Sequence, residues 1–393
     1  MTTKAFAATQ AAWRFLNNDN VTLKALVEPL RAVGRQASTN IDSPFVLLAH
    51  DWCKLSFTEK KKDEVQLTHK TDVGYDLTTA LLINPDNGCP IAPMELHLRI
   101  KRRVLSTREP APRHQPHLEQ VLPTMEASQD WELAKPVLHV IDREADSVDH
   151  YRQWDEAGHK FLIRADDRRV LHQGDSKLLS EILQEMQENK AFQCVGDAKY
   201  EGRPQELWVA ETEVVLHRPA KKNVQGVRSS QPGRALTLRL LGVQIRHESG
   251  RVLAEWKLLT NAPLAWADAA TFARCYYWRW RIETYFKLLK SQSLQLEEWG
   301  QQTGPAIARR LLIASMACVV VWELQSREDE DAKELKQILI RLSGRQMKRD
   351  QPHTAPALLA GLWTLLTMLE LLNHCSLENL QNLTATFLPL DTG

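Results

Sequence analysis

Residues 135–146 read KPVLHVIDREAD, and the fold turns on this stretch. KPVLHVI is a largely apolar run of strand length that stops at Asp142. READSVDHYRQWDEAG (143–158) follows at once and carries a helical pattern with acids in its first turns. A second apolar run, PFVLLAH (44–50), ends in the same way at Asp51, and KFLIR (160–164) forms a further short strand. Continuous apolar strands interleaved with helices predict an α/β layer built on a mixed sheet.

The pattern extends outward on both sides. Residues 1–44 read as a helical, moderately polar region, with Asn20 or Thr22 as a candidate cap before LKALVEPLRAVGRQ (23–36). Strand-like stretches at 74–83 and 91–100, joined by NPDNGCP, predict a hairpin. RRVLSTREPAPRHQPH (102–117) reads as a Pro- and Arg-rich loop. LWVAETEVVLHRP (207–219), RALTLRLLGVQIRHE (234–248) and RVLAEWKLLTN (251–261) alternate apolar and polar residues, which predicts an antiparallel β insertion over about 166–262. From Asp268 onward the pattern is helical, broken at GQQTGP and KRDQPHTAP, and there is no internal repeat. Three regions result: a helical region over 1–44, an α/β core over 45–300 that contains the insertion, and a helical region over 301–393.

Composition bounds the function. The chain has 393 residues, 43% hydrophobic and 25% charged, which excludes a disordered or fibrous protein and allows two or three domains. Lys and Arg number 50 against 49 Asp and Glu, a net charge of +1, so any nucleic-acid role requires cations segregated onto particular faces. They are segregated: residues 271–290 carry five cations and one acid, and residues 99–113 carry six basic residues and one acid. Acids gather instead at 181–188 and 323–335. The six cysteines form no C-x-x-C pair, and the N-terminus lacks the apolar core of a signal peptide. The most apolar run, 311–324, falls short of the roughly 20 residues that span a bilayer. A cytoplasmic protein with reduced cysteines and no membrane partner is expected.

Three acids stand out. Asp51 and Asp142, 91 residues apart, each close a strand otherwise built of Val, Leu and Ile. A carboxylate there is costly unless compensated, and two side by side would repel unless Mg²⁺ or Mn²⁺ lies between them. Each Asp would equally serve to end its strand and cap the next turn. The third acid lies in TFARCYYWRWRIETYFKLLKSQ (271–292), where Tyr276, Arg279, Glu283 and Lys290 fall at offsets of 0, 3, 7 and 14. On one continuous helix those offsets share an arc of roughly 60°. A lone acid in a basic stripe suits a metal ligand flanked by phosphate-binding cations; spacing alone also describes a solvated helix with an ordinary Arg279–Glu283 pair.

DREAD at 142–146, together with Y-x2-R-x3-E-x6-K at Tyr276, Arg279, Glu283 and Lys290, resembles the signature of the IS-four family of bacterial DDE transposases, in particular its transposon-five branch. The likeness reaches from about residue 8 to 300, including QAAWRFLNNDNVTLKAL and WKLLTN, and more weakly Asp51. It implies a ribonuclease-H-like core interrupted by the β insertion, with Asp51, Asp142 and Glu283 as catalytic acids holding two Mg²⁺ ions, for which Mn²⁺ substitutes. It further implies cleavage of transposon ends through a DNA hairpin and joining to target DNA by a homodimer in a synaptic complex. Tyr276, Arg279 and Lys290 would grip phosphates, Trp256 would stack on a flipped base, and Arg164 would contact DNA. Trp52 and Cys53 stand where that branch carries small hydroxyl residues. The first helices of the family's end-recognition domain are expected to be missing, and its dimerisation helix cannot be aligned residue by residue. Such a shortened form raises a second reading, a non-catalytic DNA-binding inhibitor, and the triad by itself would also suit a third, a metal-dependent nuclease.

Lesser candidates are His50, beside Asp51, and the pair His114 and His117, which read as a surface loop. Arg99, Lys101, Arg102, Arg103 and Arg108 read as phosphate contacts or as a charged sheet edge.

Overall fold

The computed structural model describes residues 2–67, 69, 71–111, 117–224, 227–291, 294–345 and 353–385. Two helices open the chain, α1 (Thr2–Leu16) and α2 (Leu23–Thr39). Thr22 caps α2 by accepting the Ala25 amide at 3.1 Å. Strands β1 (Val46–Leu55), β2 (Val65–Gln66), β3 (Val73–Ile83), β4 (Pro90–Arg99) and β5 (Val104–Ser106) follow, then α3 (Val121–Ser128), β6 (Val137–Ile141), α4 (Val148–Glu156) and β7 (Lys160–Arg164). β8 (Arg169–His172), β9 (Asp175–Leu178) and α5 (Leu179–Glu188) lead to β10 (Gln193–Tyr200), β11 (Arg203–Leu216), β12 (Ala220–Val224), β13 (Val227–Gln231), β14 (Leu236–Arg246) and β15 (Val252–Thr260). The remainder is helical: α6 (Ala269–Trp278), α7 (Arg281–Lys290), α8 (Gly304–Ser326), α9 (Glu330–Leu342), α10 (Ala355–Leu372) and α11 (Leu377–Ala385).

The main sheet runs β5-β4-β3-β1-β6-β7-β15-β14-β11-β8-β9, with β10 on β11 and β2 on β3. β1, β6 and β7 are parallel neighbours, while β3, β4 and β5 extend the sheet antiparallel on one side. The β insertion is not a separate layer. β15 hydrogen-bonds to β7 through Leu258↔Arg164 and Thr260↔Leu162, so the insertion continues the core sheet. That pairing covers the edge β7 would otherwise expose.

Alternation along β6 and β7 sorts side chains to two cores. Leu138, Val140 and Leu162 pack with α2, α6, α7 and α8, while Ile141, Phe161 and Ile163 pack with α3, α4 and α5. By the same alternation, a residue following Ile141 returns to the α6–α7 side. Val46 to Ala49 of β1 are fully buried, as expected of a central strand.

Three expectations are corrected. β1 does not end at Asp51 but runs on to Leu55 along β3. The helix read over 271–292 is two helices, α6 and α7, broken at Arg279 and Trp280. There the ladder tightens, with Ile282 N bonded to Arg279 O at 3.1 Å, three residues back. The apolar run 311–324 lies inside the longer α8. α8 and α10 are both long and apolar enough to cross a membrane by length and composition, but α8 is mostly buried as a core helix. α10 buries less of itself, leaving Trp363, Leu366 and Leu369 exposed, and it crosses α9 closely at Gly361.

Candidate active site

Asp51 and Asp142 lie at matching positions. The parallel ladder between β1 and β6 runs from Val46↔Val137 to His50↔Ile141 and stops there, so each acid follows the last paired residue of its strand. Asp51 accepts the Trp52 amide at 2.8 Å, and Asp142 caps a short turn by accepting the Arg143 amide at 2.7 Å. Glu283 comes from the first turn of α7, opposite both strands.

One guanidinium joins all three acids. Arg279, in the break between α6 and α7, donates from Nη1 to Asp51 Oδ2 at 3.0 Å and from Nη2 to Glu283 Oε1 at 2.8 Å. Its Nη2 lies 3.9 Å from Asp142 Oδ2. The Arg279 and Asp51 side chains are 3% and 16% exposed, so that pair meets in a poorly hydrated part of the site. Tyr276 Oη donates to Asp142 Oδ1 at 3.1 Å. Four of the residues singled out by motif therefore converge, from elements far apart in the chain.

The surroundings split the two aspartates. Burial pushes Asp51 up to about 6, against the opposing pull of Arg279 and the Trp52 amide, with Glu283 and Asp142 adding to the rise. Burial acts in the same direction on Asp142, but Arg279, the Arg143 amide and the Tyr276 hydroxyl outweigh it and hold Asp142 below the usual carboxylate range. Burial raises the Tyr276 phenol, so it remains a donor. Burial lowers the Arg279 guanidinium, but Tyr276 and the three acids reverse that effect.

The remaining sequence candidates lie at varying distances from this centre. Arg164, at the end of β7, acts electrostatically on Asp142 and Tyr276, and its side chain makes no hydrogen bond or ion pair with the described residues. Lys290, at the far end of α7, instead donates to the Lys54 carbonyl and pairs with Glu297 at 3.1 Å. Trp256 is 5% exposed and packs on Tyr276 and Trp280, with ring centroids 5.7 and 5.8 Å away, so it is a core side chain; the more open neighbour is Trp280. Of the basic run, Arg99 pairs with Asp76 and Arg108 with Glu95, leaving Lys101, Arg102 and Arg103 exposed in a turn. His50 is buried and bonded to His139 at 2.9 Å.

His117 is not the surface-loop residue expected from its Pro-rich surroundings. Its ring stacks on Trp52 with centroids 4.1 Å apart, and its nitrogens approach Asp76 at 3.4 Å and Glu144 at 3.0 Å. Trp52 Nε1 also donates to Glu144 at 3.0 Å. The sequence signal for this group was adjacency alone, Trp52 following Asp51 and Glu144 lying inside DREAD. His114 lies outside the described residues.

Residues 111–320, just over half of the chain, match the family described as the transposase DDE domain. The chain belongs to that family. The matched span holds Asp142 and Glu283 and leaves Asp51 outside it. This DDE-domain chain is also similar to a solved structure titled as a piggyBac transposase synaptic complex with hairpin DNA, at 10% identity and a TM-score of 0.38. The similarity covers 88% of this chain and 57% of that one. No curated protein matches.

The donor chemistry of this cluster suits a hard divalent cation, since Asp51, Asp142 and Glu283 offer only carboxylate oxygens. Asp142 and Glu283 are also open to solvent, at 40% and 54% side-chain exposure. Among the described residues no group of three or more His, Cys, Asp or Glu side chains is drawn together as a metal cluster. Arg279 supplies the positive charge between these acids, and its Nε is buried without a hydrogen-bond partner among the described residues.

Proposed function

We propose that this chain is a DNA transposase of the IS-four type that cuts transposon ends and joins them to target DNA, with Asp51, Asp142 and Glu283 as its catalytic acids. The observation that carries this reading is the meeting of all three acids on Arg279, from β1, β6 and α7. The strand order β4-β3-β1-β6-β7, antiparallel on one side of β1 and parallel on the other, supports a ribonuclease-H-like core.

The acids would hold two Mg²⁺ ions, or Mn²⁺ in their place. Bound there, the ions would activate water and then a freed 3′-hydroxyl, and would offset charge on the phosphate under attack. The chain's own residues prepare the site. Tyr276 orients Asp142 through its hydroxyl, and Arg279 draws the three carboxylates together. Arg164, unpaired among the described residues, is available to a DNA phosphate beside Asp142. Cut-and-paste chemistry through a hairpin, by two copies of the chain acting together in the cytoplasm, completes the reading.

Purified protein incubated with labelled duplexes from the DNA flanking its coding sequence, in Mg²⁺ or Mn²⁺, tests this. Hairpin-ended and strand-transfer products are expected. Nicks alone would make the chain a nuclease, and binding without cutting would make it an inhibitor.

A further inference from the structure

The backbone ladder that aligns β1 with β6 ends at His50↔Ile141, one residue short of both aspartates. Beyond that point β1 stays paired only with β3, through Asp51↔Thr79 and Trp52↔Thr78 to Leu55↔Tyr75. The distance from Asp51 to Asp142 is therefore left to side chains. One link is Arg279. The second lies outside the acids altogether.

We propose that Trp52, Glu144 and His117 form a clasp that positions Asp51 against Asp142 for cleavage. Trp52 is bound to Asp51 through its own amide, at 2.8 Å, while its indole Nε1 donates to Glu144 Oε2 at 3.0 Å. Glu144 stands two residues past Asp142, in the turn that Asp142 caps. The indole hydrogen bond thus ties the β1 acid to the DREAD turn just where the ladder has stopped. His117 closes the clasp by stacking on the Trp52 ring at 4.1 Å while bonding the other Glu144 oxygen at 3.0 Å.

The far side is anchored as well. His117 Nδ1 lies 3.4 Å from Asp76 of β3, and Arg99 of β4 holds Asp76 at 3.2 Å. Asp76 is opposite Lys54, on the strand that braces β1. Strands β4, β3 and β1 and the DREAD turn are therefore cross-linked through side chains, in series. Glu144 is the node, since one carboxylate oxygen serves the indole and the other the imidazole. None of the three residues touches Arg279 or any of the three acids by its side chain among the described contacts, so they are positioning residues.

The proposal rests on the transposase reading, and its test separates the two. Nicking of supercoiled plasmid DNA in Mn²⁺ is measured for the full chain and for Glu144→Ala, Glu144→Gln, Trp52→Phe and the double variant Trp52→Phe/Glu144→Ala. Binding of Mn²⁺ alone is followed by the spin-resonance signal of the free ion. A misplaced carboxylate should slow nicking at saturating DNA by about tenfold to a hundredfold in Glu144→Ala and in Trp52→Phe, with the half-saturating DNA concentration unchanged. The double variant should be no slower than Glu144→Ala, because the indole hydrogen bond that Trp52→Phe removes is already lost with the carboxylate. Glu144→Gln, whose carbonyl accepts from the indole and whose amide donates to a neutral His117, should restore most of the rate. Mn²⁺ affinity should fall in Glu144→Ala and return in Glu144→Gln.

Wild-type rate and Mn²⁺ affinity in Glu144→Ala, or multiplying losses in the double variant, would overturn the clasp. Failure of Glu144→Gln to rescue, with melting temperatures unchanged, would do the same. If the unaltered chain does not nick DNA at all, the transposase reading fails instead, and the Mn²⁺ affinities of the variants still decide the clasp.

Discussion

Arg279 and Asp51 are 228 residues apart in the chain and joined by a 3.0 Å ion pair in which both side chains are largely buried. The pair brings the turn between α6 and α7 onto the central strand, and Glu283 and Asp142 gather around the same guanidinium. A basic residue that spacing alone would place on a solvated helix face is the hub of the site.

Removing that hub leaves the buried Asp51 carboxylate without its cation. Arg279→Ala should destabilise the fold by about 3 kcal/mol, the usual cost of stranding one partner of a buried pair. Arg279→Lys should recover only part of it, since an ammonium cannot span acids that a planar fork reaches together. Urea titrations near neutral pH measure both, and an unchanged midpoint in Arg279→Ala would refute the role of hub.

Asp51 gives the pH dependence. Its carboxyl is raised in the fold from its ordinary 3.8 to about 6, so the stability it contributes as a neutral acid is complete below pH 3.8 and is lost as pH rises through about 6. The full loss is about 3 kcal/mol. Asp142 runs the other way, its contribution present above the ordinary carboxylate range and lost as pH falls through its lowered value. Unfolding free energy measured from pH 4 to 7 should carry a downward component that Asp51→Asn removes. Parallel curves for the two proteins would contradict it.

Two neighbouring tryptophans should behave differently. Trp256 is core, and Trp256→Ala should cost about 4 kcal/mol of stability. Trp280 is 37% exposed, so Trp280→Ala should leave the melting temperature nearly unchanged, and any aromatic contact with an unstacked base should be lost with it. Melting curves together with 2-aminopurine fluorescence of a bound duplex separate the roles. A stable Trp256→Ala variant that no longer perturbs the fluorescence would return the stacking role to Trp256.

At Gly361 a Cβ would lie 1.9 Å from the Leu339 carbonyl oxygen, so α9 and α10 touch through backbone there. Gly361→Ala should force the helices apart at a cost of about 2 kcal/mol. Limited proteolysis should then release fragments from 353–385 faster than in the unaltered chain; equal rates would show that the contact contributes nothing.

Much of this was legible in the residues because the signals are local. An apolar run that stops at an acid is visible at Asp142 and at Asp51, although β1 itself continues to Leu55, and Tyr276, Arg279 and Glu283 share a spacing that survives the break in their helix. What could not be read depends on partners far away in the chain. The break at Arg279 and Trp280 contains neither Gly nor Pro, and it coincides with the contact that the guanidinium makes to Asp51 on a distant strand. That β15 joins β7 is a matter of edge pairing between strands about 90 residues apart, which alternation within each strand does not encode. Trp256 looked available because a strand tryptophan reads the same whether a helix covers it or not. His117 was hidden by its Pro-rich surroundings, since its partners Asp76 and Glu144 come from other elements.

The central claim is that Asp51, Asp142 and Glu283 act together on DNA. Its most direct test is single-turnover cleavage of a labelled duplex from the flanking DNA in Mn²⁺, by the unaltered chain and by Asp142→Asn and Glu283→Gln, with binding of the same duplex measured in parallel. The account expects cleavage by the unaltered chain, a loss of at least about a thousandfold in each variant, and binding within a few-fold of the original in both. Cleavage at the unaltered rate by either variant would contradict it.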